Sequence, residues 1–312
     1  MHFWSGMALA ATVLPGLSDA AWAVQWTADF PQSAGGQPQP ANIVAPRDNF
    51  PRRPLIGAGA EWISGPRGLA ASNINTTFPV LLPSRGPNRP PPLVTVGFEY
   101  TNLFQASQSN LPEDLYEYSI GLTRIQPINQ RWKVLTILGA GMATDGWNQT
   151  SDAWQFRGGV LGLYQPNDNW KWTVGAFATG REDLPVIPAV GLVVTPRPDL
   201  EIDLTFPRPA IRHIIRQSGN WQDLVWAGAG IAGTTWAYER PRYGDDRLTY
   251  RDIRVVAGWE RRQVPRNGMP AAAGNFLRLE IGYAMARELE FLDDTQTAPL
   301  DGGFIGSLRT RF

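Results

Sequence analysis

From residue 56 onward, apolar and polar residues alternate with a period of two over most of the chain, and no stretch holds a helical period for a useful length. In Leu93–Phe104, the residues Val94, Val96, Phe98 and Tyr100 share one face, opposite Thr95, Gly97, Glu99 and Thr101. In Asp114–Ile125, Tyr116, Tyr118, Ile120 and Leu122 oppose Glu117, Ser119, Gly121 and Thr123. The same division recurs in Asp199–Phe206, Thr249–Glu260 and Asn275–Ala286. Less regular strands are expected at 132–142, 153–164, 170–179, 186–195, 210–217 and 222–237. Two weaker candidates, Ile56–Ile63 and Ser72–Val80, precede these. The last run, Gly302–Phe312, places Phe304, Leu308 and the terminal Phe312 on one parity and Gly303, Ser307, Arg309 and Arg311 on the other. Most runs are close to the ~9–11 residues that a tilted strand needs to cross a hydrocarbon layer.

The connections carry a second pattern. Pro127–Arg131, Gln165–Asn169, Pro196–Pro198 and Ser218–Asn220 are short, whereas the alternating connections 105–113, 143–152, 180–185, 238–247 and 287–301 are mostly longer and polar. Short turns at one end and long loops at the other are expected of a transmembrane barrel. The pattern breaks at 261–274, a long connection on the short side, and at Pro207–Pro209, a tight one on the long side. The fold predicted is all-β, a transmembrane antiparallel up-and-down barrel of fourteen strands over 56–312, with twelve as the alternative if the two early candidates are not strands. Phe304, Leu308 and Phe312 would form the closing strand, the segment expected to guide membrane insertion through the barrel-assembly machinery. A soluble secreted β-sandwich is the competing fold. It would show the same alternation, with shorter strands and more Lys on its polar face.

Composition narrows the compartment. Cys is absent, so thiolate chemistry and disulfides are excluded. The net charge is zero, which argues against nucleic acid as a partner. Lys occurs only at 133 and 171, and the other basic residues are Arg, the cation suited to pairing in confined space. Thirteen Trp and eight Tyr would supply the aromatic girdles of a barrel in outer-membrane lipid. The apolar run Phe3–Leu17 followed by Ala21-Trp22-Ala23 reads as an export signal over 1–23, although no Lys or Arg precedes it. Residues 24–55, rich in Pro, Gln and Gly, read as a flexible tail or, alternatively, a plug for the barrel. No run approaches the ~20 apolar residues of a spanning helix, so an exported chain that spans a membrane must do so as a closed barrel. The expected location is the bacterial outer membrane.

Candidate chemistry is sparse. His2 would leave with the signal, and His213 would then be the sole imidazole, set between Arg212 and Arg216. An outer-membrane hydrolase of the phospholipase or protease kind would need it as base. A carboxylate calcium site would be possible in Asp245-Asp246 or Asp293-Asp294, pairs that read as solvated turns. No metal or cofactor is called for. The larger constellation is the set of charges predicted to face the lumen: Glu99, Glu117, Arg157, Glu201, Asp203, Arg254, Glu260, Arg278, Glu280, Arg309 and Arg311. It would serve as an ion-pair network that props the lumen or as the lining of a pore. The groups Arg181-Glu182-Asp183 and Arg287-Glu288-Leu289-Glu290 are expected in outer loops, bracing the mouth with each other or with Arg240 and Arg242.

Several pieces resemble an uncharacterised bacterial family of outer-membrane β-barrel proteins, a domain of unknown function. They are Leu111-Pro112-Glu113-Asp114-Leu115-Tyr116, Arg181-Glu182-Asp183-Leu184-Pro185, Pro188-Ala189-Val190-Gly191-Leu192, Phe206-Pro207-Arg208-Pro209, Thr249-Tyr250-Arg251-Asp252 and Ala286-Arg287-Glu288-Leu289-Glu290. The resemblance implies the fold and the outer membrane and brings no catalytic residues. The expected role is a passive channel or transporter of an unknown small solute, or a structural envelope protein, rather than an enzyme. The alternative is the hydrolase using His213.

Overall fold

A computed structural model of the chain describes residues 56–65, 69–82, 92–104, 111–179, 186–240, 244–264, 275–291 and 296–312. The signal at 1–23 and the tail at 24–55 lie outside the described residues. The strands are β1 (Gly57–Ile63), β2 (Ala70–Leu81), β3 (Leu93–Phe104), β4 (Asp114–Pro127), β5 (Trp132–Thr144), β6 (Trp154–Asn167), β7 (Trp170–Ala178), β8 (Val186–Arg197), β9 (Leu200–Asp203), β10 (Ala210–Ser218), β11 (Trp221–Arg240), β12 (Gly244–Gln263), β13 (Phe276–Phe291), β14 (Gln296–Leu300) and β15 (Gly303–Arg311). From β1 to β13 each strand pairs antiparallel with its neighbour in sequence. The inner half of β13 pairs with β15 and its outer half with β14, so β14 and β15 are two parts of one crossing. β15 pairs in turn with β1, from Gly57 opposite Arg311 to Ile63 opposite Ile305, and the sheet closes into a ring of fourteen crossings. The two early candidates are both strands of this ring.

Parity sorts the side chains. Ile281 is 73 % exposed, Phe304 69 % and Val190 57 %, whereas inward-facing Glu117 and Asp252 are 2 % and 1 % exposed. An apolar band that encircles a ring filled with charge is the inverse of a soluble protein's surface and matches a barrel seated in lipid. Aromatic rings mark its two edges. Trp132 stacks on Tyr164 with centroids 4.7 Å apart beside the inner turns, and Tyr100 meets Tyr116 at 5.5 Å near the outer end.

The lumen is packed rather than hollow. On the β5–β8 wall, Leu135, Ile137, Leu161, Phe177 and Ala189 form an apolar cluster. Glycine makes room for it: a Cβ at Gly159 would overlap the Phe177 ring. At the outer end Leu69, Leu103, Leu111, Leu115 and Ala143 pack against Trp236, Tyr238, Leu248, Tyr250 and Leu289. This cap joins residues of β3–β5 to residues of β11–β13 across the mouth. It also explains two departures from the expected loops. Residues 238–247 and 287–301 are mostly strand, because β11 runs to Arg240, β12 begins at Gly244, β13 runs to Phe291 and β14 begins at Gln296. Their inward side chains are buried in the cap, which stabilises extended backbone beyond the lipid band. On the inner side, β12 runs to Gln263, and 265–274 lies outside the described residues.

One feature departs from a simple up-and-down ring. Thr144 at the top of β5 pairs parallel with Ala237 of β11, directly across the mouth. The Asp145 amide donates to the Ala237 carbonyl (3.1 Å), and the Glu239 amide donates to the Asp145 carboxylate (2.9 Å). The Asn148 and Gln155 side-chain amides donate to the Tyr238 and Thr235 carbonyls at 3.3 and 2.7 Å. This seam draws the two walls together above β6–β10.

The face assignment has a direct check. Ile281→Arg at the middle of the lipid band is expected to cost about 2–4 kcal/mol, the range for a cation at the bilayer midplane. Urea titration of the folded chain in lipid vesicles measures it.

Candidate functional site

The lumen below the cap is the site that the sequence pointed to, and its charges are organised into pairs. Arg157 donates to Glu117 at 2.8 Å, with side chains 5 % and 1 % exposed, and its other nitrogen reaches the Gln155 carbonyl oxygen. Arg212 donates to Glu201 at 2.8 Å and lies 3.9 Å from Asp203, whose carboxylate also accepts the Thr205 amide. Arg278 donates to Glu260 at 2.6 Å and lies 3.6 Å from Glu280, which accepts the Ser307 hydroxyl at 2.6 Å. Glu99 accepts the Asn73 amide at 2.6 Å. Arg311 sits at the inner end of β15 with its guanidinium 5.0 Å from the centre of the Phe276 ring. Each buried charge with a partner at hydrogen-bond distance offsets a desolvation cost that an isolated ion in this space would not survive.

One relay spans the height of the lumen. The buried Arg287 donates to the carbonyls of Ser64 (3.0 Å), Asp301 (3.0 Å) and Leu69 (2.7 Å), and to the Tyr250 hydroxyl (3.0 Å). Tyr250 donates to Asp252 at 2.7 Å, Asp252 accepts from Arg254 at 2.8 Å, and Arg254 donates to Glu61 at 2.7 Å. Arg309 meets the other Glu61 oxygen at 3.6 Å. The outer turns, the cap and the lumen floor are thereby tied into one polar network.

Beside this relay lies a cavity of about 120 Å³. Its polar side is formed by Glu61, Asn73, Asn75, Glu99, Arg254 and Arg309, and its apolar side by Ile63, Leu69, Leu103 and Trp236. Arg208, from the tight 207–209 turn, also lines it, with its aliphatic stem against Gly230, where a Cβ would crowd it. At ~30 Å³ per water the cavity holds about four waters.

Several residues of this site were not among the sequence candidates. Glu61 and Arg212 lie at inward parity on strands whose pattern was weak. Arg287 is the instructive case. Strict alternation from Leu277 would send it outward, but Ala286 adopts φ 48° and the β12–β13 register slips between Arg251 and Ile253. The bulge reverses parity, so Met285 faces out and Arg287 is 1 % exposed. The expected bracing by Arg287-Glu288-Leu289-Glu290 is corrected accordingly. Glu288 and Glu290 pair with Arg251, at 2.7 and 3.6 Å, while Arg240 pairs with Asp246 at 3.5 Å. Arg181-Glu182-Asp183, Arg242 and Asp293-Asp294 lie outside the described residues. Asp246 is occupied by Arg240 and the Arg247 amide, and among the described residues no cluster of metal-ligating side chains forms.

His213 stands apart from the lumen. It shares the outward parity of Ile211 and Ile215, each 52 % exposed, and its Nδ1 lies 3.1 Å from the Asp199 carbonyl and 3.4 Å from its carboxylate. Among the described residues no Ser or Thr hydroxyl is bonded to it, so the arrangement provides no nucleophile for a base.

Arg287→Ala would take its donor from three carbonyls, at about 1–3 kcal/mol for each buried group left without a partner, while the Tyr250 hydroxyl keeps its bond to Asp252. The expected loss is at least about 3 kcal/mol by urea titration in vesicles, and Arg287→Lys, with three donors instead of five, should recover part of it.

No curated protein matches the chain. Among solved structures, an outer-membrane channel from Pseudomonas putida F1 is 11 % identical with a TM-score of 0.38, covering 86 % of this chain and 98 % of that one. The β domain of the Bordetella autotransporter BrkA is 11 % identical with a TM-score of 0.36, covering 83 % and 98 %. The P. putida toluene transporter TodX is 9 % identical with a TM-score of 0.26, covering 84 % and 89 %. Residues 92–236, from the start of β3 to the cap residue Trp236, match the family described as a domain of unknown function, DUF6268. Four of the six resembling pieces fall inside that segment, and 249–252 and 286–290 lie beyond it. Residues 92–236 are thus similar to an uncharacterised family, DUF6268, and the chain folds as a closed antiparallel β-barrel with an apolar band around it.

Proposed function

We propose that this barrel is an outer-membrane passage for small solutes that rests shut at its outer mouth. The observation that carries the reading is the seam between β5 and β11. It is one parallel bridge reinforced by side-chain bonds and backed by the apolar cap, and Thr234 and Trp236 beside its β11 anchor line the cavity. A barrel with a purely structural role has no need of a cavity lined by several guanidinium groups. An open porin has no need of a cap. The seam, together with the apolar cap that joins the same two walls, is the element whose rupture would connect the cavity to the outside. The absence of a nucleophile beside His213 among the described residues leaves the hydrolase alternative without geometric support.

Planar-bilayer conductance tests this. The native chain from Val24 is expected to be nearly silent, with rare openings. The double variant Asp145→Ala/Gln155→Ala, which removes two of the seam's anchors, should raise the open fraction by about tenfold, the effect of roughly 1.4 kcal/mol on a two-state equilibrium. Steady large conductance from the native chain would overturn the shut state. Silence of the seam variant, with the barrel verifiably folded, would overturn the channel and leave a structural barrel. Deleting residues 24–55 should leave the native trace unchanged, because the closure is built from strands; opening on deletion would make the tail the plug instead.

A further inference from the structure

We infer that the cavity beneath the cap binds a small neutral amphiphile, a single hydroxyl on a short hydrocarbon body. The inference rests on the gated-passage reading for its role, since such a solute would sit just below the closed mouth. Its readout is binding to the shut barrel and does not depend on flux.

Three observations carry it. The first is an unsatisfied group. Thr234 follows the inward parity of Ala232 and Trp236 on β11, lines the cavity with them and is only 8 % exposed. Its hydroxyl has no hydrogen-bond partner among the described residues. Buried hydroxyls are almost always satisfied, so this one points to an occupant that bonds it. A hydroxyl on the occupant serves whichever way the Thr234 proton turns, because it both donates and accepts. The second is charge, which is already balanced. The four guanidinium groups of the lining, on Arg208, Arg254, Arg287 and Arg309, are matched by four carboxylates: Glu61 and Glu99 in the same lining, Asp252 bonded to Arg254, and Glu280, which acts electrostatically on both Arg208 and Arg309. An ion entering this network would lose its water and find no counter-charge, a cost that a neutral solute escapes. The third is shape and size. Ile63, Leu69, Leu103 and Trp236 form an apolar side. Water alone would bond Thr234 but would also wet these side chains, which a short hydrocarbon body covers instead. An apolar cavity of ~150 Å³ holds benzene, with six heavy atoms. A cavity of about 120 Å³ accordingly suits five, the size of 1-butanol.

Methyl NMR of the native chain folded in detergent micelles tests the assignment, with 1-butanol as the probe and butyrate and butylammonium as charged comparators of the same length. 1-Butanol is expected to shift the Ile63, Leu69 and Leu103 methyl signals along one saturable curve. Each ion should bind at least about tenfold more weakly, because its charge would be buried without a partner. Thr234→Val, which keeps the side-chain shape, should weaken 1-butanol by about three- to tenfold, the loss of one hydrogen bond, and Thr234→Ser, which keeps the hydroxyl, should retain most of the affinity. Ala232→Leu, which fills the cavity from its lining, should abolish binding in a barrel that still shows native heat-modifiable mobility. Butyrate or butylammonium binding as tightly as the alcohol, or unaltered affinity in both Thr234→Val and a folded Ala232→Leu, would overturn the assignment. Shifts at these methyls that never saturate would overturn it too and leave water as the occupant. Binding by a barrel that never conducts, seam variant included, would overturn the gated passage and leave this site standing. Conductance from the seam variant with no 1-butanol binding would do the reverse.

Discussion

The rest of the structure depends on one requirement: in lipid, every backbone amide and carbonyl must find its partner within the protein. A ring meets it, and the ring closes through seven register pairs between β1 and β15. Once the exterior is apolar, charge has nowhere to go but inward. Guanidinium and carboxylate groups then share a low-dielectric space, which tolerates them only as partners. The Arg157–Glu117, Arg212–Glu201, Arg278–Glu260 and Arg254–Glu61 pairs follow from that exclusion. Arg rather than Lys predominates inside because one planar fork can bind two acceptors, as Arg254 does with Asp252 and Glu61.

Two materials fill the lumen for different reasons. The ionic network, densest on β1 and β9–β15, holds its groups at fixed separations and borders the cavity. The apolar clusters on β5–β8 and at the cap exclude water among their own side chains, and Leu69, Leu103 and Trp236 of the cap form the apolar side of the cavity. The meeting of the two at the cavity gives it one charged and one greasy side. The cap also requires long β11, β12 and β13, so closure of the mouth and extension of these strands beyond the lipid are a single structural decision.

Strand count, faces and the inward placement of most charges were legible in the sequence, because period-two alternation survives wherever a wall separates lipid from lumen. Even Ile56–Ile63, with its weak pattern, follows it: Trp62 points out and Glu61 in. What escaped the sequence lies where local pattern and tertiary contact diverge. Arg287 was assigned to a loop because nothing in Ala286 announces a left-handed residue that reverses parity. The seam was invisible because Asp145 and Glu239 are 94 positions apart and each sits in a segment that reads as an ordinary polar loop. The cavity was illegible for a similar reason. Thr234 is an unremarkable strand Thr until the cavity's other lining residues, from six other strands, are known.

The seam also bears on how long the folded state lasts. It joins segments that cannot meet until β11 has been threaded and the ring beneath is nearly complete, so it belongs to the last contacts made. Bonds formed after the folding barrier has been crossed do little for the rate of assembly and act on the rate of unfolding instead. The interior therefore stays wet through most of assembly and dries at the end, and the first step of disassembly is the re-entry of water past the cap. Bonds at the mouth of this kind lengthen the life of a folded barrel rather than hasten its assembly.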